Sequence, residues 1–326
     1  MSTHKKIDLI CVVCVIIGLV ITGLFMFGES LGIEVMHDED SDINDESQYF
    51  SKKDLIPDWD TSAATVITLS GDEAKISGTG AYFYDGNLYI TGGGYYTLTG
   101  SLTDGSIIVD AHKNSKVWIL LDGVNIYASD TAAMFIKKAD KVFATLAADS
   151  ENSLSSGTVY SDEAQDAGIN AVIYAKDDLT INGYGTLTLT GGCLHGIKAK
   201  DDFIITGGTL NITCPGDGIN ANDSIRITAA TLSIVSGSDG LDQDNQEGYL
   251  YIESGEITIE SGKDAIHTVG QITIDGGNLS LAASDDAIHS NTEITVNAGD
   301  IEIIRCSETI EAPGVYVSDD ANVREN

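Results

Sequence analysis

The sequence is poor in basic residues. Its 326 residues include 17 Lys and Arg against 50 Asp and Glu, which gives a formal net charge of −33 at pH 7. Nucleic acid is excluded as a natural partner because too few cations are present to neutralise phosphates, and direct binding of other anions is disfavoured. The chain is nevertheless 42% hydrophobic with 35 Gly, which argues against a wholly disordered acidic protein.

Proline, cysteine and aromatic residues are also scarce. The chain has 3 Pro and 5 Cys, and two of the cysteines lie in an apolar N-terminal stretch. The other cysteines are odd in number, which excludes a scaffold held together by disulfides. Cys193 and Cys214 occupy matching turns of neighbouring repeats, which leaves open either a disulfide or two unpaired thiols. Few aromatic residues fall in the repeats, so no flat aromatic platform for neutral sugars is evident.

One unit recurs roughly every 22 residues between Leu187 and Val317. Each unit contains three short apolar alternations of period two, the pattern of a β-strand with one buried face. A unit of this size holds too few apolar side chains to close its own core, so successive units must stack. The repeat therefore predicts an all-β parallel β-helix of about 22 residues per rung. A propeller or a β-sandwich is the alternative, but propeller blades need about 40 to 50 residues.

The N-terminal region has a different character. Lys5 and Lys6 precede an uncharged apolar stretch from Leu9 to Phe27, and acidic residues follow it. This pattern predicts one transmembrane helix with the C-terminal domain outside the cytoplasm, in the cell membrane; a cleaved signal peptide is the competing interpretation. The predicted organisation is a cytoplasmic tail at 1–6, a transmembrane anchor at 7–28, an acidic tether at 29–60, N-terminal rungs and a cap at 61–165, and regular β-helix repeats at 166–326.

Stacking of the repeats brings one acidic residue per unit into a column. This first column contains Asp217, Asp239, Asp264 and Asp286, flanked by His195 and Glu308. Carboxylates ~4.8 Å apart repel by about 0.9 kcal/mol in water and by about 3.5 kcal/mol at an effective dielectric of about 20. Two arrangements would offset this repulsion. Each Asp caps its own turn by accepting backbone N–H groups, or divalent cations such as Ca²⁺ bind between the carboxylates.

A second column contains Lys198, Asn220, Asp242, His267, His289 and Glu311. One repeat has additional residues that form an acidic loop after Asp242. This loop makes the densest group of carboxylates in the repeats, and we expect calcium there, with the ligands Asp217, Asp239, Asp242, Asp244, Glu247 and Asp264. The loop is not an EF-hand, because Glu247 stands where that motif requires Gly. The two histidines are in register, but without Cys or a third His nearby hydrogen bonding is favoured over zinc.

Several motifs resemble those of a known family. They are the run Asp177-Asp178-Leu179-Thr180-Ile181-Asn182-Gly183, a following Gly-Thr-Leu-Thr-Leu-Thr-Gly run that begins at Gly185, and Asp-Gly-Ile or Asp-Gly-Leu in successive units. The chain is similar over about residues 61–326 to the clostridial-type carbohydrate-binding β-helix proteins, surface proteins with a fold like pectate lyases. The resemblance implies a calcium-containing, right-handed β-helix that binds acidic polysaccharide such as polygalacturonate, without established catalysis. Ala265 and Ala287, which replace Gly, depart from the family pattern.

Three functional hypotheses follow. The first is a non-catalytic protein in which calcium on the Asp columns bridges to an acidic polysaccharide contacted by Lys198, Asn220, Asp242, His267 and His289. The second is a calcium-dependent polysaccharide lyase, which needs a Lys or Arg base, and Lys198 and Lys200 are nearest to the acidic columns. The third is a structural adhesin whose partner is a protein.

Overall fold

The computed structural model describes residues 49–325. The predicted tail at 1–6, the predicted transmembrane anchor at 7–28 and residues 29–48 of the predicted tether lie outside the described residues. Within the described part of the chain, no helix is both long and apolar enough to span a membrane.

The described residues form an all-β parallel solenoid of about 10 turns with about 24 residues per turn. The predicted parallel β-helix is confirmed, whereas its right-handed sense stays a prediction. The predicted 22-residue spacing holds between paired residues such as Ile197 and Ile219 in the regular turns. The average is larger because the N-terminal turns carry longer connections, and the partners Ile136 and Ala175 are 39 positions apart.

Each regular turn contributes one strand to each of three sheets, and the strands are numbered here in chain order. Sheet 1 contains β9 (Lys141–Leu146), β12 (Asp178–Gly183), β15 (Phe203–Ile205), β18 (Ser224–Ile227), β21 (Tyr249–Ile252), β24 (Gln271–Ile274), β27 (Glu293–Val296) and β30 (Gly314–Val317). Sheet 2 contains β10 (Glu151–Ser156), β13 (Thr186–Thr190), β16 (Thr209–Cys214), β19 (Ala230–Ser236), β22 (Gly255–Ser261), β25 (Asn278–Ala282), β28 (Gly299–Arg305) and β31 (Ala321–Glu325). Sheet 3 contains β3 (Ala81–Tyr84), β4 (Asn87–Ile90), β6 (Ile107–Asp110), β8 (Met134–Lys138), β11 (Ala171–Ala175), β14 (His195–Ala199), β17 (Ile219–Ala221), β20 (Leu241–Gln243), β23 (Ile266–Thr268), β26 (Ile288–Ser290) and β29 (Ile310–Glu311).

The N-terminal end of the solenoid differs from these regular turns. Long strands β5 (Gly94–Leu102) and β7 (Lys116–Ala128) run through both sheet 1 and sheet 2. Two antiparallel pairs close this end: β1 (Thr65–Gly71) with β2 (Glu73–Ser77), and β3 with β4. Short helices occur at Lys52–Leu55 (α1) and Asp162–Asp166 (α2), with a 3₁₀ turn at Thr61–Ala63.

Inward-facing Ile and Leu side chains of equivalent turns stack in columns and form the core. In sheet 2, Leu187, Leu210 and Leu232 are paired in register and each is at most 1% exposed. Burying one such side chain stabilises the fold by about 1.5–3 kcal/mol. Because each turn contributes few of them, the turns are stable as a stack rather than singly. Cys193 and Cys214 are both free thiols, so the unpaired alternative is the one present.

Residues 49–60, which we call the N-terminal strap, pack against the outer face of sheet 1. The Tyr49 ring stacks on Tyr251 of β21 with the ring centroids 3.7 Å apart. At the other end of the strap, Trp59 packs on Tyr95 of β5 with a centroid separation of 4.9 Å. Ordered structure therefore begins before residue 61, and the last part of the predicted tether lies on the solenoid.

A buried ion pair holds the middle of the strap. Asp54 in α1 is 1% exposed, and its Oδ1 lies 2.8 Å from Lys141 Nζ. Thr180 Oγ1 donates a hydrogen bond to the same oxygen over 2.6 Å. Ser51 Oγ donates to the second oxygen over 2.7 Å, within a capping box that also fixes the start of α1. These contacts explain how the carboxylate of Asp54 is accommodated against an acidic protein.

The connection that contains α2 covers the N-terminal part of the outer face of sheet 3. Phe135 and Tyr174 are buried there beneath Tyr160 and Ala164. The next position in the same register is Lys198 in β14, where the face becomes polar. The polar columns therefore begin where the covering connection ends.

Candidate functional site

The second column of polar side chains lies on sheet 3. Backbone pairing places successive members opposite one another, in the order Lys198, Asn220, Asp242, His267, His289 and Glu311. The four aspartates of the first column lie in the turns just before these strands and are 5–8% exposed. Both columns are thus stacked as the repeat predicts.

The first three aspartates of the first column, Asp217, Asp239 and Asp264, use Oδ1 to cap the turn of the following repeat. The amide groups of Asp239, Asp264 and Asp286 each donate to the Oδ1 of the preceding aspartate, over 3.2, 2.9 and 2.9 Å. At the start of the first column, His195 Nδ1 accepts a hydrogen bond from the amide N–H of Asp217 over 3.1 Å. Turn capping is therefore present, but these three carboxylates cap the turn of the next repeat rather than their own, because stacking places the next amide N–H within reach of Oδ1. A hydrogen bond to a charged group stabilises by about 1.5–3 kcal/mol, which offsets part of the repulsion along the column.

Turn capping leaves the second oxygen, Oδ2, for other partners. Asp217, Asp239 and Asp242 form a buried cluster in which one carboxylate oxygen from each lies within 4.8 Å of the others. Oxygens bound to one calcium ion at about 2.3–2.6 Å are at most about 5.2 Å apart, so the three carboxylates fit around one ion. Calcium takes about 6 to 8 oxygens, and water or ligand oxygens would complete the shell.

This cluster is electrostatically unfavourable as three bare anions. Burial raises the pKa of Asp242 to about 6; a hydrogen bond with His267 opposes this shift, and the charges of Asp244 and Asp217 add to it. The pKa of Asp239 is also raised, mainly by burial. A bound divalent cation favours ionised carboxylates and would reverse both effects. The donor set therefore fits a hard divalent cation.

The remaining predicted calcium ligands do not belong to this group of three oxygens, although Asp244 contacts Asp242. Asp244 Oδ2 lies 2.7 Å from Lys198 Nζ, and this pairing lowers the pKa of Asp244 although burial opposes it. Glu247 is exposed and belongs to no potential metal cluster among the described residues. Asp264 lies one turn further along, where its carboxylate approaches those of Asp285 and Asp286. The charge of Lys198, distant in sequence but close in space, accounts for the position of Asp244.

Lys198 and Asn220 are buried next to the carboxylates of Asp217 and Asp242 and hold them in place. They are 5% and 3% exposed, which leaves little surface for a polysaccharide to contact. Lys198 Nζ donates to Asn220 Oδ1, and Asn220 Nδ2 donates to Oδ2 of Asp217 and of Asp242 over 3.0 and 2.6 Å. Both residues thus orient the cluster.

His267 and His289 are half-buried and line a groove of about 400 Å³. His267 Nδ1 lies 2.6 Å from Asp242 Oδ1, and this hydrogen bond raises the pKa of His267. His289 Nδ1 lies 3.3 Å from Asp264 Oδ2. The groove is lined by Asp239, Lys263, Asp264, His267, Asp285, Asp286, His289, Ser307, Glu308 and Glu311. The excess of acids gives this groove a negative potential, which attracts cations.

Sequence reasoning did not identify Asp285, which joins Asp264 and Asp286 in a further group of carboxylates. The Asp285-Asp286 doublet was a usable signal, since both side chains precede a predicted strand. The approach of His289 to Asp264 had no sequence signal. These residues belong to different turns and different columns, and only side-chain packing brings them together.

A family model described as "Carbohydrate-binding domain-containing protein" matches residues 84–318, which is more than half of the chain. A protein of that description from Acetivibrio thermocellus is 40% identical over 124 residues. That match covers 38% of this chain and 43% of the relative, so the chain spans less than half of the relative's length. A solved structure, described as the polysaccharide lyase-like protein from C. thermocellum, gadolinium derivative, is 29% identical with a TM-score of 0.66. It covers 80% of this chain and 100% of its own.

Proposed function

The chain belongs to the family of carbohydrate-binding domain-containing proteins, and we propose that it binds an acidic polysaccharide of the polygalacturonate type through calcium, without catalysis. The observation that carries the proposal is the buried cluster of Asp217, Asp239 and Asp242 beside an acidic groove. In this proposal the solenoid is held outside the cell by the transmembrane anchor predicted at residues 7–28.

Calcium provides the link between two partners of the same charge. The groove carries Asp239, Asp264, Asp286, Asp285, Glu308 and Glu311 against Lys263. An acidic polysaccharide would be repelled by this surface in the absence of cations. A calcium ion on the buried carboxylates retains open coordination positions, and uronate carboxylates supply the oxygens that it prefers.

The predicted polysaccharide contacts divide into two groups by burial. Asp242 holds the ion and Lys198 and Asn220 orient the carboxylates, since all three are at most 7% exposed. His267 and His289 line the groove, where their rings can contact the polysaccharide.

Lys198, one of the two candidate lyase bases, is held in an ion pair, and the proposal contains no lyase step at this residue. A lyase base must accept a proton, whereas Lys198 is buried and its ammonium is paired with Asp244 at 2.7 Å. A rise in absorbance at 232 nm on incubation with polygalacturonate and calcium would contradict the non-catalytic proposal. If the protein is instead an adhesin whose partner is a protein, it should bind no glycan on a glycan array.

Titration calorimetry with polygalacturonate tests the proposal. Binding is expected with calcium and is expected to vanish with EDTA. Asp239→Asn should weaken binding at least tenfold, while Asp72→Asn in the exposed turn between β1 and β2 should not change it. Equal affinity with and without EDTA would refute the calcium bridge.

A further inference from the structure

The two histidines of the groove lie together with a buried carboxylate. One ligand atom from each of Asp264, His267 and His289 lies within 4.8 Å of the others. His267 and His289 are paired in register on β23 and β26, and their ring centroids are 5.2 Å apart. Asp264 precedes β23 and is 8% exposed. Two imidazoles and one carboxylate from adjacent turns therefore point at a common volume.

The distance between Asp264 and His289 fits two ligands of one metal ion. Asp264 Oδ2 and His289 Nδ1 are 3.3 Å apart, which makes this a long hydrogen bond. Two ligands bound to a tetrahedral zinc ion at about 2.0–2.1 Å lie about 3.3–3.4 Å apart. The separation therefore matches one edge of a zinc coordination tetrahedron.

His267 is oriented as a histidine ligand usually is. Its Nδ1 lies 2.6 Å from Asp242 Oδ1, which fixes the ring and favours a proton on Nδ1. The lone pair on Nε2 is then available to a metal. A carboxylate that hydrogen-bonds the second nitrogen also raises the basicity of the ligating nitrogen. Asp242 is thus a positioning residue for His267.

We propose that Asp264, His267 and His289 form a binding site for a divalent transition-metal ion of the zinc class, with at least one coordination position open to the groove. Two imidazoles and a carboxylate suit zinc, whereas the all-carboxylate cluster of Asp217, Asp239 and Asp242 suits calcium. The site is therefore distinct from the calcium cluster. The open position takes water or an oxygen atom of a ligand in the groove.

The test is a zinc titration of the full chain in excess calcium and without polysaccharide, so that its result is independent of the proposed function. We expect one zinc ion to bind per chain. His267→Gln and His289→Gln should each weaken zinc binding at least tenfold. The matched control is His112→Gln, an exposed histidine between β6 and β7, which should leave the affinity unchanged.

A second measurement uses the unmutated chain and does not depend on how the variants fold. With labelled histidine, zinc should shift the ring resonances of His267 and His289 and leave those of His112 in place. The proposal is overturned if the double variant His267→Gln/His289→Gln binds zinc as tightly as the unmutated chain. It is equally overturned if excess calcium displaces the zinc ion, since a carboxylate-dominated site would then be responsible.

Discussion

Asp242→Asn should stabilise the calcium-free protein and destabilise the calcium-bound protein relative to the unmutated chain. Asp242 is 7% exposed and belongs to the buried cluster with Asp217 and Asp239. Without a cation, its ionised carboxylate is opposed by burial and by neighbouring negative charge. With calcium, the same carboxylate is a ligand. The sign of the effect should therefore change with the metal.

The size of the calcium-free effect follows from the pKa of Asp242. The folded-state pKa of about 6 exceeds the ordinary value of 3.8 by about 2 units, which corresponds to about 3 kcal/mol against the ionised form. Asn keeps the shape and the hydrogen bonds, because its carbonyl accepts from Asn220 and its amide donates to neutral His267. The pKa of about 6 already includes the opposing hydrogen bond with His267, so that bond is not subtracted again. We expect a net gain of about 2–3 kcal/mol near pH 8.

Calcium should reverse the order of stability of the variant and the unmutated chain. Calcium at about 1,000 times its dissociation constant stabilises the unmutated chain by about 4.1 kcal/mol. The variant lacks one of the three buried carboxylates and should gain much less. The unmutated chain then becomes the more stable protein.

The calcium-free difference should also depend on pH. Because the folded-state pKa of Asp242 is raised, its penalty is fully present above about pH 6 and is absent below the unfolded value of 3.8. The raised pKa of His267 acts in the same direction, since its stabilisation is present below 6.5 and is lost as pH rises through the folded pKa. The advantage of Asp242→Asn should therefore shrink between about pH 6 and pH 4.

Urea unfolding with EDTA and with saturating calcium measures both effects. Asp72→Asn serves as the control for removal of one negative charge from the chain, because Asp72 is exposed. The reasoning fails if the variant is less stable than the unmutated chain in EDTA at pH 8, or if calcium stabilises both proteins equally.

Three further predictions concern the scaffold. Asp54→Asn should detach the N-terminal strap, because Lys141 loses its charged partner at 2.8 Å at a cost of about 3 kcal/mol. The expected result is faster hydrogen exchange in residues 49–60, and unchanged exchange would contradict the prediction. Burial opposes ionisation of Asp54, but Lys141, Thr180 and Ser51 together lower its pKa, so its contribution is present above pH 3.8 and is lost as pH falls through the lowered folded-state pKa. Gly218→Ala should destabilise by about 1–3 kcal/mol in urea unfolding, since a Cβ there would lie 2.4 Å from Ile234 Cγ2 and 2.6 Å from the Gly240 carbonyl; an unchanged midpoint would show that the turns relax. Leu232→Ala in the core should lower the free energy of unfolding by about 2–5 kcal/mol. Thr231→Ala, at an exposed position of the same strand, should change it little. Equal effects of the two substitutions would argue against the assigned strand faces.

The strap and the acidic loop show where sequence reasoning reached its limit. Residues 29–60 are acidic and lack periodicity, so they predict a solvated tether. The docking of the strap, residues 49–60, depends on Lys141 and Thr180, which follow it by many residues and whose spatial proximity has no local signal. The loop after Asp242 predicts a dense group of ligands, yet Asp244 pairs with Lys198 from two turns earlier.

The sequence by itself determined the stacked solenoid, its apolar columns and the alignment of the two polar columns. These features follow from short-range periodicity, because a strand of period two and a unit too small to fold alone have few ways to bury their apolar faces. Only the tertiary structure decided which carboxylate oxygens cap turns, which remain for a cation, and which histidines face Asp264. Those choices depend on contacts of a few ångströms between side chains of different turns. A repeat pattern specifies the register and the face of each residue, but it does not specify the side-chain rotamer.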